Sequence, residues 1–529
     1  MSVASEELPL AQWRPSFNPW LIAITVTLAP FMEVLDTSIA NVALPHMAGS
    51  LGAGTDESTW VLTSYLVANA IILPMSGWFS QMLGRKRFYM SCVVIFTVAS
   101  AMCGMAHSLE SLVFFRVIQG LGGGGLQPSS QAILADTFEP RRRGMAFAIY
   151  GMAVVTAPAI GPTLGGWITD NFDWRWIFWI NIPVGVLSLL ANYRVVEDPP
   201  HLTGRQRGKG IDYIGFGLIA VGLGTLQIVL DKGQQEDWFG SRLIVVLSII
   251  CGISLLSAIV WEWRHANPIV DLRLLKERNF ATANILLFAL GFVLLGSTVL
   301  LPQFLQLLLG YTATQAGMAI SPGGVAIMVL LPFVGMALSH GVQPKWMIAG
   351  GLIISAAGLM LMSRFSLQIT FGDAAMARIL QAGGIALLFV PINTMAYAYL
   401  PPEKNNAASG LINLARNIGG SVGIAFCTTL LARRSQFHQA ILSEHTSIYD
   451  PQARSALAAL KQTLINQGAG AAQAGKQALA MLYATVQQQA ALLSYIEVFK
   501  IMAIIFLAIV PLVIIMKKIK HTGPAAMGH

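Results

Sequence analysis

Two carboxyl groups in the first apolar segment are the residues best suited to chemistry in this 529-residue chain. Glu33 and Asp36 lie three residues apart, which places both on one face of a helix. An ionisable side chain at the centre of a membrane helix costs at least about 2.5–3.5 kcal/mol, so each needs a reason to be there. Burial and mutual repulsion both disfavour the ionised form, which favours uptake of a proton near neutral pH. We therefore predict that at least one of them handles protons. The alternatives are that Asp36 only bonds neighbouring helices, or that one of the pair is permanently salt-bridged.

Three arginines also fall within apolar segments. Arg116 requires an anionic partner or a wet cavity, and we expect it to change partners when a carboxyl group of the first segment takes up a proton. A permanent structural salt bridge is the alternative. For Arg378 and Arg416, a direct role in a central cavity and a structural role both remain open.

Prolines and glycines cluster in the fifth apolar segment. Prolines kink a helix and free backbone carbonyls, whereas glycines allow another helix to approach closely. The stretch therefore predicts a hinge or a tight interface between two halves of the protein, with a static packing seam as the alternative. Its residues are Pro158, Gly161, Pro162, Gly165 and Gly166.

The composition shows which solvent surrounds these residues. The chain is 55% hydrophobic and only 11% charged, whereas soluble domains average about 25% charged residues. A helix needs about 20 mostly apolar residues to cross the hydrocarbon layer. The sequence predicts an all-α membrane protein with fourteen spans, near 19–45, 58–82, 88–106, 111–135, 145–168, 176–195, 213–231, 242–263, 281–309, 314–339, 346–363, 374–400, 407–432 and 495–516.

The net charge of +8 is distributed as membrane topology requires. With the N-terminus in the cytoplasm, the short cytoplasmic segments carry twenty Lys and Arg residues and the short outer loops carry four. This positive-inside asymmetry predicts that both termini are cytoplasmic. The basic charge is thus topological, and we expect no nucleic-acid partner.

An internal repeat predicts the domain organisation. Arg116, Gln119 and Gly122 recur as Arg378, Gln381 and Gly384, all at a separation of 262 residues. We predict a cytoplasmic tail (1–18), a six-helix half (19–195), a linker with two inserted helices (196–264), a second six-helix half (265–516) and a cytoplasmic tail (517–529). Halves of this kind enclose a binding site near the bilayer midplane. Within the second half, the Ala- and Gln-rich residues 433–494 predict a helical hairpin outside the membrane, broken at Gly468–Gly470.

The sequence offers no sign of an enzyme. Gly122–Gly125 lacks the lysine–serine pair and the preceding strand of a phosphate-binding loop. There is no cluster of metal ligands and no nucleophile motif, so we expect neither a metal nor a cofactor. The four cysteines fall inside predicted spans without paired spacing, and we expect them to be apolar fillers.

Several motifs together resemble the major facilitator superfamily, and within it the fourteen-helix drug:proton antiporter branch. The resemblance to EmrB-type multidrug efflux pumps of Gram-negative bacteria is closest. The segments that carry it are Leu35–Pro45, Gly77–Lys86, Arg116–Gly122, Gly161–Gly166, Asn171–Gly185, Asp231–Phe239 and Asn267–Leu272.

The resemblance implies a proton-coupled antiporter in the bacterial inner membrane that exports hydrophobic compounds. It implies proton coupling by Asp36, Glu33 and Arg116, and it implies a membrane-fusion adaptor and an outer-membrane channel as partners. A dedicated exporter of one metabolite, such as a fatty acid or siderophore, and a membrane sensor with a transporter fold are the alternatives. The other residues expected to act are Gln119, Arg378, Asn393 and Arg416 in the substrate cavity, and Gly77, Gly84, Arg85 and Asp136 in gating.

Two departures from the family pattern bear on gating. Gln81 stands where the loop motif usually has an aspartate, and Asp136 could pair with Arg85 instead. Ala148 and Ala157 replace the outer glycines of the helix-5 motif, so we expect a stiffer hinge.

Overall fold

The computed structural model describes residues 15–198, 212–444, 446 and 450–517, and these residues form helices and short connections without a strand. Residues 1–14, 199–211 and 518–529, which make up most of the predicted tails and linker, lie outside the described residues. The helices, numbered α1 to α18 in chain order, are Pro19–Leu51, Thr55–Ser58, Trp60–Leu83, Arg85–Gly104, Leu109–Gly123, Leu126–Thr137, Arg143–Asn171, Trp176–Trp179, Asn181–Val195, Tyr213–Lys232, Arg242–Arg264, Arg278–Leu309, Ala313–Ser339, Pro344–Met362, Phe371–Ala396, Asn405–Glu444, Pro451–Asn466 and Ala471–Ile509.

The first helix shows how local sequence sets these bounds. The Asn18 side chain accepts a hydrogen bond of 2.9 Å from the backbone N–H of Trp20, and Pro19 occupies the first turn, where its missing N–H is not needed. The helix ends at Gly52, whose φ of 64° is the left-handed conformation that favours glycine. It continues past Pro45, six residues beyond the predicted end.

Among the described residues, 12 helices are long and apolar enough to cross a membrane, and 13 if bent α7 is one span. α7 bends by 46° between Arg143–Pro158 and Ile160–Asn171. The predicted span near 111–135 is divided into α5 and α6 at Gly124 and Gly125, which leaves two helices of 15 and 12 residues. A run of four glycines offers no side chains to stabilise a continuous helix, and this is why the span predicted near 111–135 does not appear as one element.

The two ends of the bundle differ. We call the end that holds Asn18, Leu83 and Arg85 the basic end, and the opposite end the hairpin end. α16 has 40 residues and α18 has 39, so each is about 60 Å long, roughly twice the hydrocarbon thickness. The parts of α16 and α18 at the hairpin end are joined through α17. The break predicted at Gly468–Gly470 lies between α17 and α18.

The repeat-related helices α5 and α15 pack on their preceding helices through glycines. A β-carbon on Gly122 would lie 2.6 Å from the Phe96 nitrogen of α4, and one on Gly384 would come even closer to the Ser355 nitrogen of α14. Only glycine allows these backbones to approach so closely. Arg116 and Arg378, which are 262 residues apart, therefore lie on helices that pack in the same way on the helix before them.

Two helix pairs form most of the contact between the halves. α3 packs against α16, and α7 packs against α13. The inserted helix α10 lies beside the first pair, where Gln227 accepts a hydrogen bond of 3.0 Å from Ser421 of α16 and Asp231 accepts one from Thr63 of α3. The inserted helix α10 thus touches both halves of the bundle.

Candidate functional site

Asp36 is held by three donors from two other helices, α5 and α9. Its side chain is about 1% exposed. Oδ2 lies 2.6 Å from Nη1 of Arg116, and Oδ1 accepts hydrogen bonds from Nδ2 of Asn181 at 2.6 Å and Nε2 of Gln119 at 3.1 Å. The carboxylate that the sequence singled out therefore lies at the meeting point of α1, α5 and α9.

Arg116 has further contacts besides Asp36, although its buried Nη2 has no hydrogen-bond partner. Nε donates to the Val61 carbonyl of α3 at 3.1 Å and Nη1 donates to Gln119 at 2.8 Å, while the Tyr65 ring centroid lies 4.3 Å from Cζ. Both charges of the Asp36–Arg116 pair are buried, with Arg116 fully inaccessible. Removing one partner from such a pair leaves an uncompensated charge, which costs about 3–5 kcal/mol. The pair is therefore strongly coupled, and neutralising Asp36 would release Arg116 to other partners.

Asn181 is a site residue that sequence reasoning assigned only to a family motif. Its amide also donates to Ser100 Oγ at 3.0 Å, and Ser100 donates to the Phe178 carbonyl at 2.8 Å. This chain of bonds joins the Asp36 carboxylate to α4. An asparagine two residues after a tryptophan- and phenylalanine-rich run gave no local signal that it would face Asp36, because its partner lies 145 residues earlier.

Glu33 lies in separate surroundings from Asp36. Its Oε1 accepts a hydrogen bond of 2.9 Å from Nδ2 of Asn69, whereas its buried Oε2 has no hydrogen-bond partner. Asp36 has a cation as a direct partner and Glu33 has a neutral amide. The two carboxyl groups therefore differ in how strongly their surroundings favour a negative charge.

Arg416 joins the two halves near the middle of the bundle. Its guanidinium donates to Oε1 of Gln127 on α6, which also accepts a hydrogen bond of 3.2 Å from the hydroxyl of Tyr150. One turn away, Nδ2 of Asn413 donates to Oε1 of Gln131 at 2.8 Å. These bonds must break if the halves separate here.

Arg378 lies in a second buried polar cluster. It is 5% exposed and donates to Ser297 Oγ at 3.2 Å, Gln381 Oε1 at 2.8 Å and Thr298 Oγ1 at 3.2 Å. Asn393, predicted for the cavity, is fully buried and donates to the Phe389 carbonyl of its own helix at 2.7 Å. The structure thus brings Arg378 and Gln381 together and leaves Asn393 apart from them.

The predicted gating residues meet at the basic end. Arg85 forms an ion pair with Asp136, and Asp136 also accepts a hydrogen bond from Nδ2 of Asn405 in the other half. Gly84 has a φ of 87°, a conformation that side-chain-bearing residues rarely adopt. Asp136 therefore takes the position of partner to Arg85 that Gln81 cannot fill.

The glycines Gly161 and Gly165 of α7 pack against α1, a helix of their own half. The Pro158 carbonyl accepts a hydrogen bond of 3.3 Å from Ser38, and a β-carbon on Gly165 would lie 3.2 Å from the Ile39 α-carbon. Gly161 likewise contacts the Ser38 side chain. Of the predicted possibilities, these glycines do not form the interface between the two halves, because they pack on α1 of the same half. The hinge and the static packing seam both remain predictions. Gly166 has no heavy atom within 4 Å of a built β-carbon, and Pro162 is half-buried.

Comparison with known proteins identifies the family. Residues 26–424 match the sequence model of the Major Facilitator Superfamily. The chain belongs to this superfamily. It is a multi-pass membrane transporter, and its all-helical architecture is the major facilitator fold.

Two bacterial relatives align with almost the whole length of this chain. "Multidrug export protein EmrB" of Escherichia coli (strain K12) is 38% identical over 508 residues, which cover 95% of this chain and 97% of the relative. "Fatty acid resistance protein FarB" of Neisseria gonorrhoeae is 36% identical over 503 residues, covering 95% and 97%. The chain is thus similar to EmrB-type export proteins.

Solved structures share the fold at low identity. The human organic anion transporter MFSD10 (TETRAN) superposes with a TM-score of 0.58 at 13% identity, covering 93% of this chain and all of the other. The proton:xylose symporter XylE gives a TM-score of 0.58 at 14% identity, covering 93% and 96%. These similarities concern the fold alone.

Proposed function

We propose that the protein is a proton-coupled antiporter that exports hydrophobic compounds across the bacterial inner membrane, with both termini in the cytoplasm. The observation that carries the proposal is the buried Asp36–Arg116 pair, with Gln119 and Asn181 as further donors to Asp36. A carboxylate held within a membrane bundle is expensive and is the group expected in a proton relay. The names of the EmrB relatives, which describe multidrug export, support the choice of substrate.

In this proposal the proton is the coupling ion and no cofactor takes part. Protonation of Asp36 would remove the negative charge that binds Arg116, and the guanidinium would then form hydrogen bonds with other acceptors. Arg116 also donates to the Val61 carbonyl of α3, and α3 packs against α16 of the other half. A change in the hydrogen bonds of Arg116 would therefore affect the position of a helix at the contact between the halves. Proton binding would thus alter the balance between two arrangements of the halves.

The test is transport into and out of proteoliposomes with an imposed pH gradient. We would compare the wild type with Asp36→Asn and with Asp173→Asn, a control whose side chain is 52% exposed on a connecting segment. The substrates are a lipophilic cation and a hydrophobic weak acid. We expect the wild type and the control to move substrate with the gradient, and Asp36→Asn to lose that movement. Normal gradient-driven transport by Asp36→Asn would contradict the assignment.

The hairpin supports a second part of the proposal, an adaptor protein that leads to an outer-membrane channel. α17 has no buried residue, and the extended parts of α16 and α18 enclose a cleft of about 350 Å³ lined by Gln439, Leu479 and Tyr483. Such an exposed surface beyond the membrane suits a partner that receives substrate there.

The adaptor proposal is tested with Leu479→Glu and Met481→Glu, two exposed apolar positions of α18. Both changes place charge on the hairpin without touching the buried bundle. We expect proteoliposome transport to remain normal and drug resistance of whole cells to fall. Unchanged resistance of whole cells would contradict the partnership.

A further inference from the structure

We propose that a groove between the inserted helices α10 and α11 binds an anionic phospholipid, with an acyl chain along its apolar wall and the phosphate at Arg264. The groove lies apart from the Asp36–Arg116 site. The inference goes beyond the proposed export function, and its test needs neither a transported substrate nor a proton gradient.

The groove lies at the basic end of the inserted helices. Asp231, near the end of α10, accepts a hydrogen bond from Thr63 near the start of α3, and α3 reaches the basic end only at Leu83. α10 therefore begins, and α11 ends, at the basic end. The groove has a volume of about 610 Å³ and is lined by Leu218 of α10 and by the last turns of α11. Pockets for small molecules have volumes of about 300–1,000 Å³.

The wall of the groove is apolar and open to the bilayer. In the described part of the chain, α11 packs mainly on α10 and on the single-turn helices on either side of it. Ser254 donates to the Leu218 carbonyl at 2.8 Å, which holds the two helices together beside the groove. Leu256 and Val260 line the groove and are exposed. Because α11 is long and apolar enough to span the membrane, the solvent that covers these side chains is lipid.

Two rings mark the depth at which a lipid head group would lie. Trp261 lines the groove and donates from Nε1 to Oδ2 of Asp212 at 2.9 Å. The ring of His265 stacks on the ring of Trp261, with centroids 5.5 Å apart and planes inclined by 17°. Tryptophan is enriched at the interface between membrane and water. This end of the groove is therefore at the level of the head groups.

Arg264 supplies a positive charge at the same end. It lines the groove, its side chain is exposed, and it forms no hydrogen bond or ion pair with another residue in the part of the chain that the structure describes. Arg273 donates to the His265 carbonyl at 2.8 Å. Nζ of Lys276 lies 5.3 Å from the centroid of the Trp263 ring, so three cations surround the end of α11. A guanidinium binds phosphate through two parallel hydrogen bonds, and basic pockets between membrane helices bind anionic lipid head groups.

Two carboxyl groups beside the groove are buried. Asp212 is 7% exposed, and its Oδ2 lies 4.0 Å from Nε2 of His265. Glu262 is 2% exposed and accepts a hydrogen bond of 3.1 Å from the backbone N–H of Val270. The charge that the groove presents to a lipid is therefore that of Arg264. This charge favours an anionic phospholipid over a zwitterionic one.

The experiment measures binding of radiolabelled phosphatidylglycerol to the delipidated full chain, immobilised in a mild detergent, by scintillation proximity. The competitors are unlabelled phosphatidylglycerol, phosphatidylcholine with the same acyl chains, and inorganic phosphate. The variants are Arg264→Gln, Arg264→Lys and Ser257→Trp, which places a large side chain on the lining of the groove. Arg242→Gln is the matched control, because it removes an exposed arginine from the opposite end of the same helix.

We expect saturable binding that weakens by about fivefold in Arg264→Gln, the contribution of one basic residue near an anionic membrane surface. Ser257→Trp should weaken it at least as much, because the acyl chain loses its place on the apolar wall. Arg264→Lys should retain most of the affinity and Arg242→Gln all of it. Phosphatidylcholine should compete more weakly than phosphatidylglycerol, and inorganic phosphate should hardly compete because it has no acyl chain.

Three results would overturn the proposal. An equal loss of affinity in Arg264→Gln and Arg242→Gln would show a general attraction between anionic lipid and a basic protein. Competition by inorganic phosphate or by phosphatidylcholine as strong as that by phosphatidylglycerol would assign the binding to a free anion or to acyl chains alone. Wild-type affinity in Ser257→Trp would exclude the groove. Because Ser257 is exposed and its replacement keeps Arg264, this variant decides the question even if Arg264→Gln fails to fold.

Discussion

Gly77 of α3 lies so close to Ala407 of α16 that a β-carbon on Gly77 would be 2.9 Å from the α-carbon of Ala407. The contact is between backbones, one from each half, at the basic end. Nothing bulkier than hydrogen fits while the halves are together there. In the same region Asp136 links Arg85 of its own half to Asn405 of the other. The basic end is therefore closed in this structure by a close backbone contact and a polar bridge.

Replacing Gly77 by alanine should oppose this closure without unfolding either half. Overpacking of a tight contact costs about 1–3 kcal/mol, which corresponds to a shift of roughly 5- to 150-fold in the closed population. We expect gradient-driven transport to fall by about tenfold or more, with little change in thermal stability. Gly166→Ala is the matched control, since no heavy atom lies within 4 Å of its added carbon. Equal transport by both variants would contradict a moving contact at Gly77.

The polar bridge at Asp136 predicts a graded series. Asn405→Ala removes only the bond between halves, whereas Asp136→Asn also breaks the ion pair with Arg85. Since hydrogen bonds to charged groups contribute about 1.5–3 kcal/mol, both changes should open the basic end, and Asp136→Asn should open it further. Spin labels at Met82 and Glu403 would report the distance between halves by double electron–electron resonance. A distance distribution unchanged in Asp136→Asn would show that the bridge does not hold the halves.

A double-mutant cycle on Asp36 and Arg116 should show strong coupling. Asp36→Asn or Arg116→Gln alone leaves a buried charge without its partner, so each should lower the free energy of unfolding by about 3–5 kcal/mol. The double variant Asp36→Asn/Arg116→Gln removes both charges and should lose less than the sum of the two. Unfolding of the purified protein in detergent, followed by denaturant or heat, measures the difference. Strict additivity would mean that the 2.6 Å contact contributes no coupling energy.

Asn181→Ala should weaken the carboxylate site from a position outside the charged pair. The variant removes one of the two donors to Oδ1 of Asp36 and the donor to Ser100, and a hydrogen bond to a charged group contributes about 1.5–3 kcal/mol. We expect lower thermal stability together with slower gradient-driven transport. Asn171→Ala is the control, because Asn171 is exposed and donates only to the Trp167 carbonyl of its own helix. A normal transport rate in Asn181→Ala would exclude a role for this donor in coupling.

The sequence by itself determined the membrane character, the positions of the spans and the main charged residues. Apolar run length and the rarity of charge within it are local properties, so Asp36 and Arg116 stood out without any knowledge of their contacts. The separation of 262 residues likewise related Arg116 to Arg378 before either had a partner. The span predicted near 111–135 was the exception, because its glycine run does not interrupt an apolar segment yet divides the helix into α5 and α6.

Only the tertiary structure decided which polar groups meet. Asn181 reaches Asp36 across 145 residues, Arg416 reaches Gln127 across 289, and Thr298 stands opposite Arg378 where the first half has an aspartate. The tertiary structure also shows that Gly161 and Gly165 pack against α1 of their own half and not against the other half. The physical reason is that a helix presents many faces of similar hydropathy to a bilayer. Which face binds a neighbour depends on close packing between distant segments, and no local pattern of residues records that choice.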